Sequence, residues 1–279
     1  MAEPVSFAAA RDEAEAWARH AGIILQEHAG RALEVENKGD QDLVTSADRA
    51  SEAYLVDAIR RRYPNHAVLA EEGTGREVPA PYRWLVDPLD GTTNFAHRYP
   101  FYAVSIALER AEPGHEGAAG RRGPIVAACV YDPVRDECWT AARGEGARLN
   151  GQTIRVSDVR TLDRALAATG FPYDFKQRPE DSLPFFEAFL HETQAVRRDG
   201  SAALNLCYLA CGRFDAFWET KLHAWDTSAA WLVIEEAGGR VTDFRGGPFD
   251  PFGAECAASN GVLHGALLEV LGRFPRPRA

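Results

Sequence analysis

Short apolar runs in this chain end abruptly in acidic residues, and this pattern constrains the fold more than any other. The run 84–86 (Trp-Leu-Val) is followed at once by Asp87 and Pro88. An apolar run of this length is typical of a buried strand, and proline fixes its own φ and donates no backbone hydrogen bond. A second run, 67–70, ends in the same way at Glu71. We therefore predict two strands that each end in a carboxylate.

Helical and strand patterns alternate along the rest of the chain. The apolar period and the stop signals predict helices at 7–28, 46–62, 182–193, 201–211, 226–237 and 263–271. Short apolar runs and turn dipeptides predict strands at 102–108, 125–131, 137–142, 165–168, 214–218 and 240–243, a hairpin across Asn150 and Gly151, and a surface loop at 111–123. This alternation is typical of an α/β (α+β) sandwich. We expect one domain, residues 1–279, with halves of about 1–158 and 159–279.

Composition and charge exclude several classes of protein. Acidic residues outnumber basic ones by 41 to 31, which argues against binding nucleic acid through a broad basic face. No apolar run approaches the roughly 18 residues of a membrane span, and residues 1–4 lack the pattern of a secretory signal. The five cysteines form no C-x-x-C pair. We therefore expect a cytoplasmic protein with reduced, buried thiols and with no membrane or nucleic-acid partner.

The stretch that follows the run 84–86 carries the clearest chemical signal. Asp90 comes three residues after Asp87, and Gly91 permits a tight turn after it. A short helix that begins at Thr92 would leave its first N–H groups unpaired, and such an end binds phosphate. Two carboxylates at one edge repel each other unless a cation lies between them, and oxygen ligands favour Mg²⁺. Taken alone, however, this stretch is equally typical of an ordinary turn with an Asp cap.

Further acidic residues stand where a strand stops or a helix starts. Glu72 follows Glu71, Asp226 precedes an apolar helical run, and Asp42 and Asp48 flank the predicted helix start near residue 46. Each of them alone is explained by helix capping. Together with a phosphate-binding turn, they fit one metal–phosphate site better than several independent caps.

These motifs resemble the signatures of the inositol monophosphatases. The similarity runs from about residue 36 to residue 260, in the order and approximate spacing of the family. The most specific string is 87–95, Asp-Pro-Leu-Asp-Gly-Thr-Thr-Asn-Phe; Glu71-Glu72, Trp225-Asp226 and 236–239 accompany it. The resemblance implies a layered αβαβα sandwich shared with the fructose-1,6-bisphosphatases. It also implies Mg²⁺-dependent hydrolysis of a phosphate monoester, sensitivity to Li⁺ and a homodimer.

The resemblance also implies roles for individual residues. A first metal would be held by Glu71, Asp87 and the Leu89 carbonyl, a second by Asp87, Asp90 and Asp226, and a third, weaker one by Glu71 and water. Two or three Mg²⁺ ions are therefore expected. The residues expected to be catalytic are Thr92 and Asp48, which would align and deprotonate the attacking water, and Glu71. The phosphate would be bound by the N–H groups of Gly91 and Thr92 beside Asp90, with Lys38 nearby.

The substrate is expected to be an inositol phosphate, which makes the chain an inositol-1-monophosphatase. The residues expected to contact the polyol are Gly200, Ser201, Ala202 and Glu219. Ala203 and Trp225 favour inositol over histidinol phosphate, whereas the sequence 227–230 departs from the usual family pattern. The alternatives are phosphatases of the same superfamily that act on fructose 1,6-bisphosphate, histidinol phosphate or 3′-phosphoadenosine 5′-phosphate, or a non-catalytic interaction protein. A kinase or NTPase is disfavoured because the sequence has no G-x-x-x-x-G-K-[ST] loop.

Overall fold

The computed structural model describes residues 5–29, 35–37, 43–75 and 77–275. The α-helices in this part of the chain are α1 (Phe7–Ala29), α2 (Ser46–Arg62), α3 (Thr92–Ala96), α4 (Leu183–Glu192), α5 (Ala202–Ala210), α6 (Ala224–Glu236) and α7 (His264–Leu271). The strands are β1 (Val35–Asn37), β2 (Leu43–Thr45), β3 (Ala67–Ala70), β4 (Tyr82–Asp90), β5 (Ala103–Arg110), β6 (Ile125–Asp132), β7 (Glu137–Ala142), β8 (Ala147–Leu149), β9 (Gln152–Thr153), β10 (Leu166–Thr169), β11 (Ala195–Arg197), β12 (Ala216–Thr220), β13 (Arg240–Thr242) and β14 (Glu255–Ser259).

Two sheets form the framework. The larger has the strand order β3-β4-β5-β6-β7-β8-β9, and the smaller has the order β11-β10-β12-β14-β13. The larger sheet is antiparallel except for β3 and β4, whereas β10 pairs in parallel with both β11 and β12. Each sheet therefore belongs to one part of the chain, and we retain the proposal of one domain with halves that meet near residue 158.

Three hydrophobic cores show how the layers stack. Helices α1 and α2 pack on the outer face of the larger sheet, where Leu25, Leu55 and Trp84 are buried. Helices α5 and α6 lie between the two sheets, and the smaller sheet is covered on its other face by α4 and α7, with Phe189 and Leu267 in that core. Burying both faces of each sheet in this way requires five layers. The predicted αβαβα sandwich is confirmed.

The structure corrects some predicted element bounds. Helix α6 begins at Ala224, two residues before the predicted start at Asp226. Strands β11 and β14 were not predicted, since neither the sequence 195–197 nor the sequence 255–259 is a distinct apolar run. The Asn150–Gly151 hairpin is present, and both residues have positive φ (48° and 78°) as a two-residue turn of type I′ requires.

Most of the loop 111–123 lies at the surface, as predicted, and only its last two residues, Arg122 and Gly123, are buried. Arg122 is buried, and its backbone N–H donates to Oε1 of the fully buried Glu109 at 2.7 Å. Arg83, also fully buried, donates to the other oxygen of Glu109 at 2.7 Å. A buried carboxylate requires donors on both oxygens. Hydrogen bonds to Glu109 therefore bury the end of the loop, at Arg122 and Gly123.

The cysteines agree with the prediction of reduced, buried thiols. All five are free, and Cys129, Cys138, Cys207 and Cys256 are buried. Among the described residues, no helix has both the length and the apolar composition that crossing a bilayer would need.

Candidate active site

A β-bulge in β4 turns two acidic side chains to the same side of the larger sheet. Asp87 pairs with Ser105 and Asp90 pairs with Ala103, so β4 contains one more residue than β5 between these pairs. Side chains three residues apart in a regular strand point to opposite faces, and one inserted residue brings them to the same face. Pro88 fits the irregular position because it has no N–H to contribute to the ladder. The Asp-Pro-x-Asp spacing therefore places both carboxylates at one cavity.

That cavity has a volume of about 420 Å³ and lies where the two sheets approach each other. The predicted site residues that line it are Glu71, Asp87, Leu89, Asp90, Gly91, Thr92, Gly200, Ser201, Ala202, Glu219 and Asp226. Leu89 is fully buried, and its carbonyl accepts a hydrogen bond from the Thr92 hydroxyl. Asp48 does not line the cavity; it lies behind Thr92 and is fully buried. Lys38 and Asp42 lie outside the described residues.

The acidic side chains of the cavity contact each other and change each other's protonation. Burial, together with the charges of Glu71, Asp90 and Asp226, raises the pKa of Asp87 well above its usual range. Burial and the neighbouring Asp90 raise the pKa of Asp226 to about 8. Burial raises the pKa of Asp90 to about 6, although hydrogen bonds from Ser201 and Ala203 act in the opposite direction. Removing this repulsion requires either protons or cations.

The donor set fits divalent metal ions such as Mg²⁺. Within the described ranges, no three acidic, histidine or cysteine side chains are already arranged to hold an ion. Oδ2 of Asp90 accepts hydrogen bonds from Ser201 Oγ (2.5 Å) and Ala203 N (2.8 Å), and Oδ2 of Asp226 accepts one from His223 N (2.8 Å). The ligand chemistry is nevertheless appropriate, because all the side chains offer oxygen and because their mutual repulsion is what a cation would remove.

Thr92 connects the cavity to a buried carboxylate. Its Oγ1 lies 3.1 Å from Oδ1 of Asp48 and 3.1 Å from the carbonyl of Leu89. The other Asp48 oxygen accepts hydrogen bonds from the N–H and the hydroxyl of Thr45, at 2.8 and 2.5 Å. Asp48 therefore caps α2 with one oxygen and holds Thr92 with the other. Burial raises the pKa of Asp48, although the hydrogen bonds of Thr45 and Thr92 oppose the shift.

The turn after Asp90 has the conformation that the sequence predicts. Gly91 has φ +100°, and a Cβ there would lie 3.0 Å from the carbonyl oxygen of Phe101, so a side chain would be both strained and crowded. Helix α3 follows, and its first hydrogen bond joins Phe95 N to Gly91 O at 3.0 Å. The N–H groups of Thr92 and Thr93 precede that bond, and the first N–H groups of a helix lack partners within it. Thr92 itself lines the cavity.

The wall formed by the smaller sheet carries Glu219, near the end of β12. Glu219 is 8% exposed, and burial raises its pKa to about 8, although the nearby Arg198 acts in the opposite direction. Gly170, at the end of β10, packs so closely that a Cβ there would lie 2.0 Å from the Glu219 carboxylate. Since β10 and β12 are neighbours, their ends bring these two residues together.

Several cavity residues were not singled out from the sequence. The side-chain amide of Asn94 donates to the carbonyls of Phe101 and Asp199, each at 2.8 Å, and so joins the turn after Asp90 to the segment before α5. Its position inside the 87–95 motif is the one signal that could have indicated it. Lys221 also lines the cavity, as do all of the residues 170–176 except Asp174. These residues carry no motif, because strand pairing and not sequence spacing brings them to the cavity.

Comparison with known proteins agrees with this geometry. The inositol monophosphatase family model matches residues 8–274. Inositol-1-monophosphatase of Synechocystis sp. is 41% identical over 249 residues, which cover 88% of this chain and 83% of that protein. Nus factor SuhB of Escherichia coli is 43% identical over 237 residues, which cover 82% of this chain and 83% of that protein. The solved structure of inositol monophosphatase from Anabaena (Nostoc) sp. is 38% identical, covers 97% of each chain and has a TM-score of 0.85. This chain belongs to the inositol monophosphatase family.

Proposed function

We propose that this protein is a Mg²⁺-dependent phosphatase that hydrolyses myo-inositol 1-phosphate to inositol and phosphate. The observation that carries the proposal is the convergence of Asp87, Asp90 and Asp226 on one cavity, beside the Gly91–Thr92 turn. Family membership supports phosphatase activity, and the name of the Synechocystis relative supports the inositol ester.

Glu71, Asp87, Asp90, Asp226 and the Leu89 carbonyl would hold two or three Mg²⁺ ions. When bound, these ions supply the positive charge that lets water approach an anionic ester and that stabilises the leaving oxygen. With the ions in place the carboxylates stay deprotonated, because the cations replace the protons that their raised pKa values would otherwise retain.

Thr92 and Asp48 orient the attacking water in this proposal. The hydroxyl of Thr92 has a single proton, and donating it to Asp48 leaves a lone pair that accepts a hydrogen bond from water in the cavity. Asp48 would act on the water only through Thr92, because it does not line the cavity, whereas Glu71 lines the cavity and would contact the reacting groups directly. Transfer of a proton from the water through Thr92 to Asp48 would be general base catalysis.

The two ends of the substrate are bound by different walls. The N–H groups of Gly91 and Thr92 would bind the phosphate beside Asp90, because unpaired amides at a turn recognise anions. Gly200, Ser201, Ala202 and Glu219 would contact the polyol hydroxyls. Glu219 offers two oxygens at the opposite wall of the cavity, which can accept from hydroxyls, and in its protonated form it can also donate.

The remaining expectations belong to the same proposal. A homodimer, a cytoplasmic location and inhibition by Li⁺ are supported by the family resemblance and by the free, buried thiols. Sedimentation of the purified protein tests the dimer. A Li⁺ titration in the assay described next tests the inhibition.

Phosphate release tests the proposed substrate directly. Purified protein is assayed with inositol 1-phosphate, fructose 1,6-bisphosphate, histidinol phosphate and 3′-phosphoadenosine 5′-phosphate, each with and without Mg²⁺. We expect the highest kcat/KM for inositol 1-phosphate and none without Mg²⁺. A preference for another of the four esters would keep the phosphatase class and reject the inositol assignment, and no hydrolysis of any ester would reject both.

A further inference from the structure

Lys221 has an unusual backbone conformation at the cavity wall. Its φ is +60°, a left-handed conformation that it shares, among the described non-glycine residues, with Arg98, Asp136 and Asn150. Of these four residues Lys221 alone lines the cavity. A left-handed residue with a Cβ costs roughly 1–2 kcal/mol, and a lysine has no short polar side chain to offset it locally. The surrounding contacts must therefore hold the residue in place.

Two contacts hold Lys221. Its N–H donates to the carbonyl of Ala254 at 2.8 Å, which continues the pairing of β12 with β14 by one residue. Its ammonium nitrogen lies 2.6 Å from Oδ2 of Asp174, and the Lys221 side chain is 18% exposed, against 41% for that of Asp174. The first contact fixes the backbone next to Glu219, and the second reaches across to a different part of the chain.

Asp174 belongs to a segment that lines one side of the cavity. We call residues 170–176 the entrance segment; all of them except Asp174 line the cavity. The segment has turns and no regular strand or helix. Phe171 and Phe175 stack within it at a centroid distance of 4.6 Å, and Phe175 N donates to Pro172 O at 3.0 Å. Its first residue, Gly170, packs against Glu219.

We propose that the ion pair between Lys221 and Asp174 positions the entrance segment and so determines how tightly the alcohol part of the substrate is bound. The pair joins the residues that follow two neighbouring parallel strands, β10 and β12, on the side of the cavity that carries Glu219. Because Gly170 packs against Glu219 and Lys221 follows Glu219 by two residues in the chain, the pair keeps the segment against the wall that faces the polyol. The inference rests on the proposed function for the identity of the ligand, although the positioning itself does not depend on it.

Limited proteolysis measures the positioning without substrate. Trypsin can cut the exposed bond after Lys176, whereas the next basic residue, Arg178, precedes Pro179 and resists cleavage. In the variants Asp174→Asn and Lys221→Gly, we expect cleavage after Lys176 to be about three- to fivefold faster. This is the size of effect that loss of one partly exposed ion pair produces. The thermal midpoint of Lys221→Gly should not fall, because glycine relieves the left-handed strain. A control, Glu192→Gln, breaks a comparable exposed pair with Arg273 away from the cavity and should leave cleavage unchanged.

Kinetics with inositol 1-phosphate measure the consequence for binding. Both variants should raise KM about three- to fivefold with kcat within about twofold, and the double variant should match either single variant because the two residues act through one pair. Unchanged cleavage and unchanged KM in both single variants would overturn the inference, as would additive effects in the double variant. If the unmodified protein hydrolyses no inositol phosphate, the proposed function fails, while the proteolysis result still decides whether the pair positions the segment.

Discussion

The hydroxyl of Thr92 lies 3.1 Å from Oδ1 of Asp48, although the two residues are 44 positions apart in the chain. The same Asp48 caps helix α2 through its other oxygen, which accepts from the N–H of Thr45. Capping and a role at the cavity, which compete as explanations of the sequence, are therefore compatible in the structure. A carboxylate that caps a helix has one oxygen bound to backbone N–H groups, and this contact fixes the position of the other oxygen. The second oxygen can therefore hold a neighbouring hydroxyl in one orientation.

Removing the Thr92 hydroxyl should slow turnover without weakening metal binding. In Thr92→Ala, water in the cavity loses its acceptor and its link to Asp48, and we expect kcat to fall by about two to four orders of magnitude. The dissociation constant for Mg²⁺, measured by titration calorimetry, should stay within about threefold, since no carboxylate changes. Thr153→Ala is the matched control, because Thr153 is an exposed threonine that does not line the cavity. A wild-type kcat for Thr92→Ala at saturating Mg²⁺ would remove Thr92 from the mechanism.

Neutralising Asp90 should abolish turnover and preserve the fold. The oxygen of an amide in Asp90→Asn can still accept hydrogen bonds from Ser201 Oγ and Ala203 N, so the segment before α5 keeps its anchor. The variant removes one negative charge beside Asp226 and with it a proposed metal ligand. We expect no detectable phosphate release and, in metal-free buffer, an unchanged or higher thermal midpoint. Hydrolysis of inositol 1-phosphate at the wild-type rate would show that Asp90 is not required.

The sequence was sufficient to predict the parts of the site that depend on local structure. Asp87, Asp90 and Gly91 are fixed by a bulge and a turn, and both depend on a proline and a glycine at set positions. Asp48 and Asp226 lie in the first turns of their helices, where the sequence pattern places them. That these acidic residues share one site was inferred from their repeated placement at strand ends and helix starts, whereas the role of each residue came from the family resemblance.

The parts that were not predicted depend on contacts between distant segments. The entrance segment meets Lys221 because β10 pairs in parallel with β12, and the 46 residues between Asp174 and Lys221 contain no signal for that pairing. Arg122, at the end of the predicted surface loop, is buried because the buried Glu109 needs hydrogen-bond donors, and no local pattern indicates that contact. Strand β14 is too rich in alanine and too short to stand out, and it forms because β12 and β13 both pair with it.

The acidic cavity should make stability depend on pH in a way that Mg²⁺ reverses. The folded-state pKa of Asp226, about 8, lies above the ordinary value of 3.8, so the folded protein binds more protons between these values. With a chelator present, the contribution of Asp226 to the free energy of unfolding should therefore be largest below about pH 4 and should be lost as the pH rises through 8. Glu219, whose pKa is also about 8, should contribute in the same direction. Added Mg²⁺ should raise the thermal midpoint more at pH 8.5 than at pH 6.

Asp226→Asn provides the control for this pH dependence. Without the Asp226 charge, the stability of the metal-free protein should decrease less as the pH rises. The increase in thermal midpoint that Mg²⁺ produces at pH 8.5 should also be smaller. Calorimetric scans of both proteins at several pH values make the comparison. A metal-free protein that becomes more stable between pH 6 and 8.5 would contradict the assigned protonation of these carboxylates.

A methyl group at Gly170 should weaken substrate binding by displacing Glu219. A Cβ at this position would lie 2.0 Å from one carboxylate oxygen of Glu219, which is 8% exposed and cannot move freely. We expect Gly170→Ala to lower the free energy of unfolding by about 1–3 kcal/mol, as overpacking does, and to raise KM for inositol 1-phosphate more than it lowers kcat. The matched control is Gly120→Ala, since a Cβ at Gly120 meets no atom within 4 Å and should change stability by less than about 0.5 kcal/mol. Because the phosphate end of the cavity is untouched, a fall in kcat at unchanged KM would place Glu219 in the chemistry and remove it from the binding of the polyol.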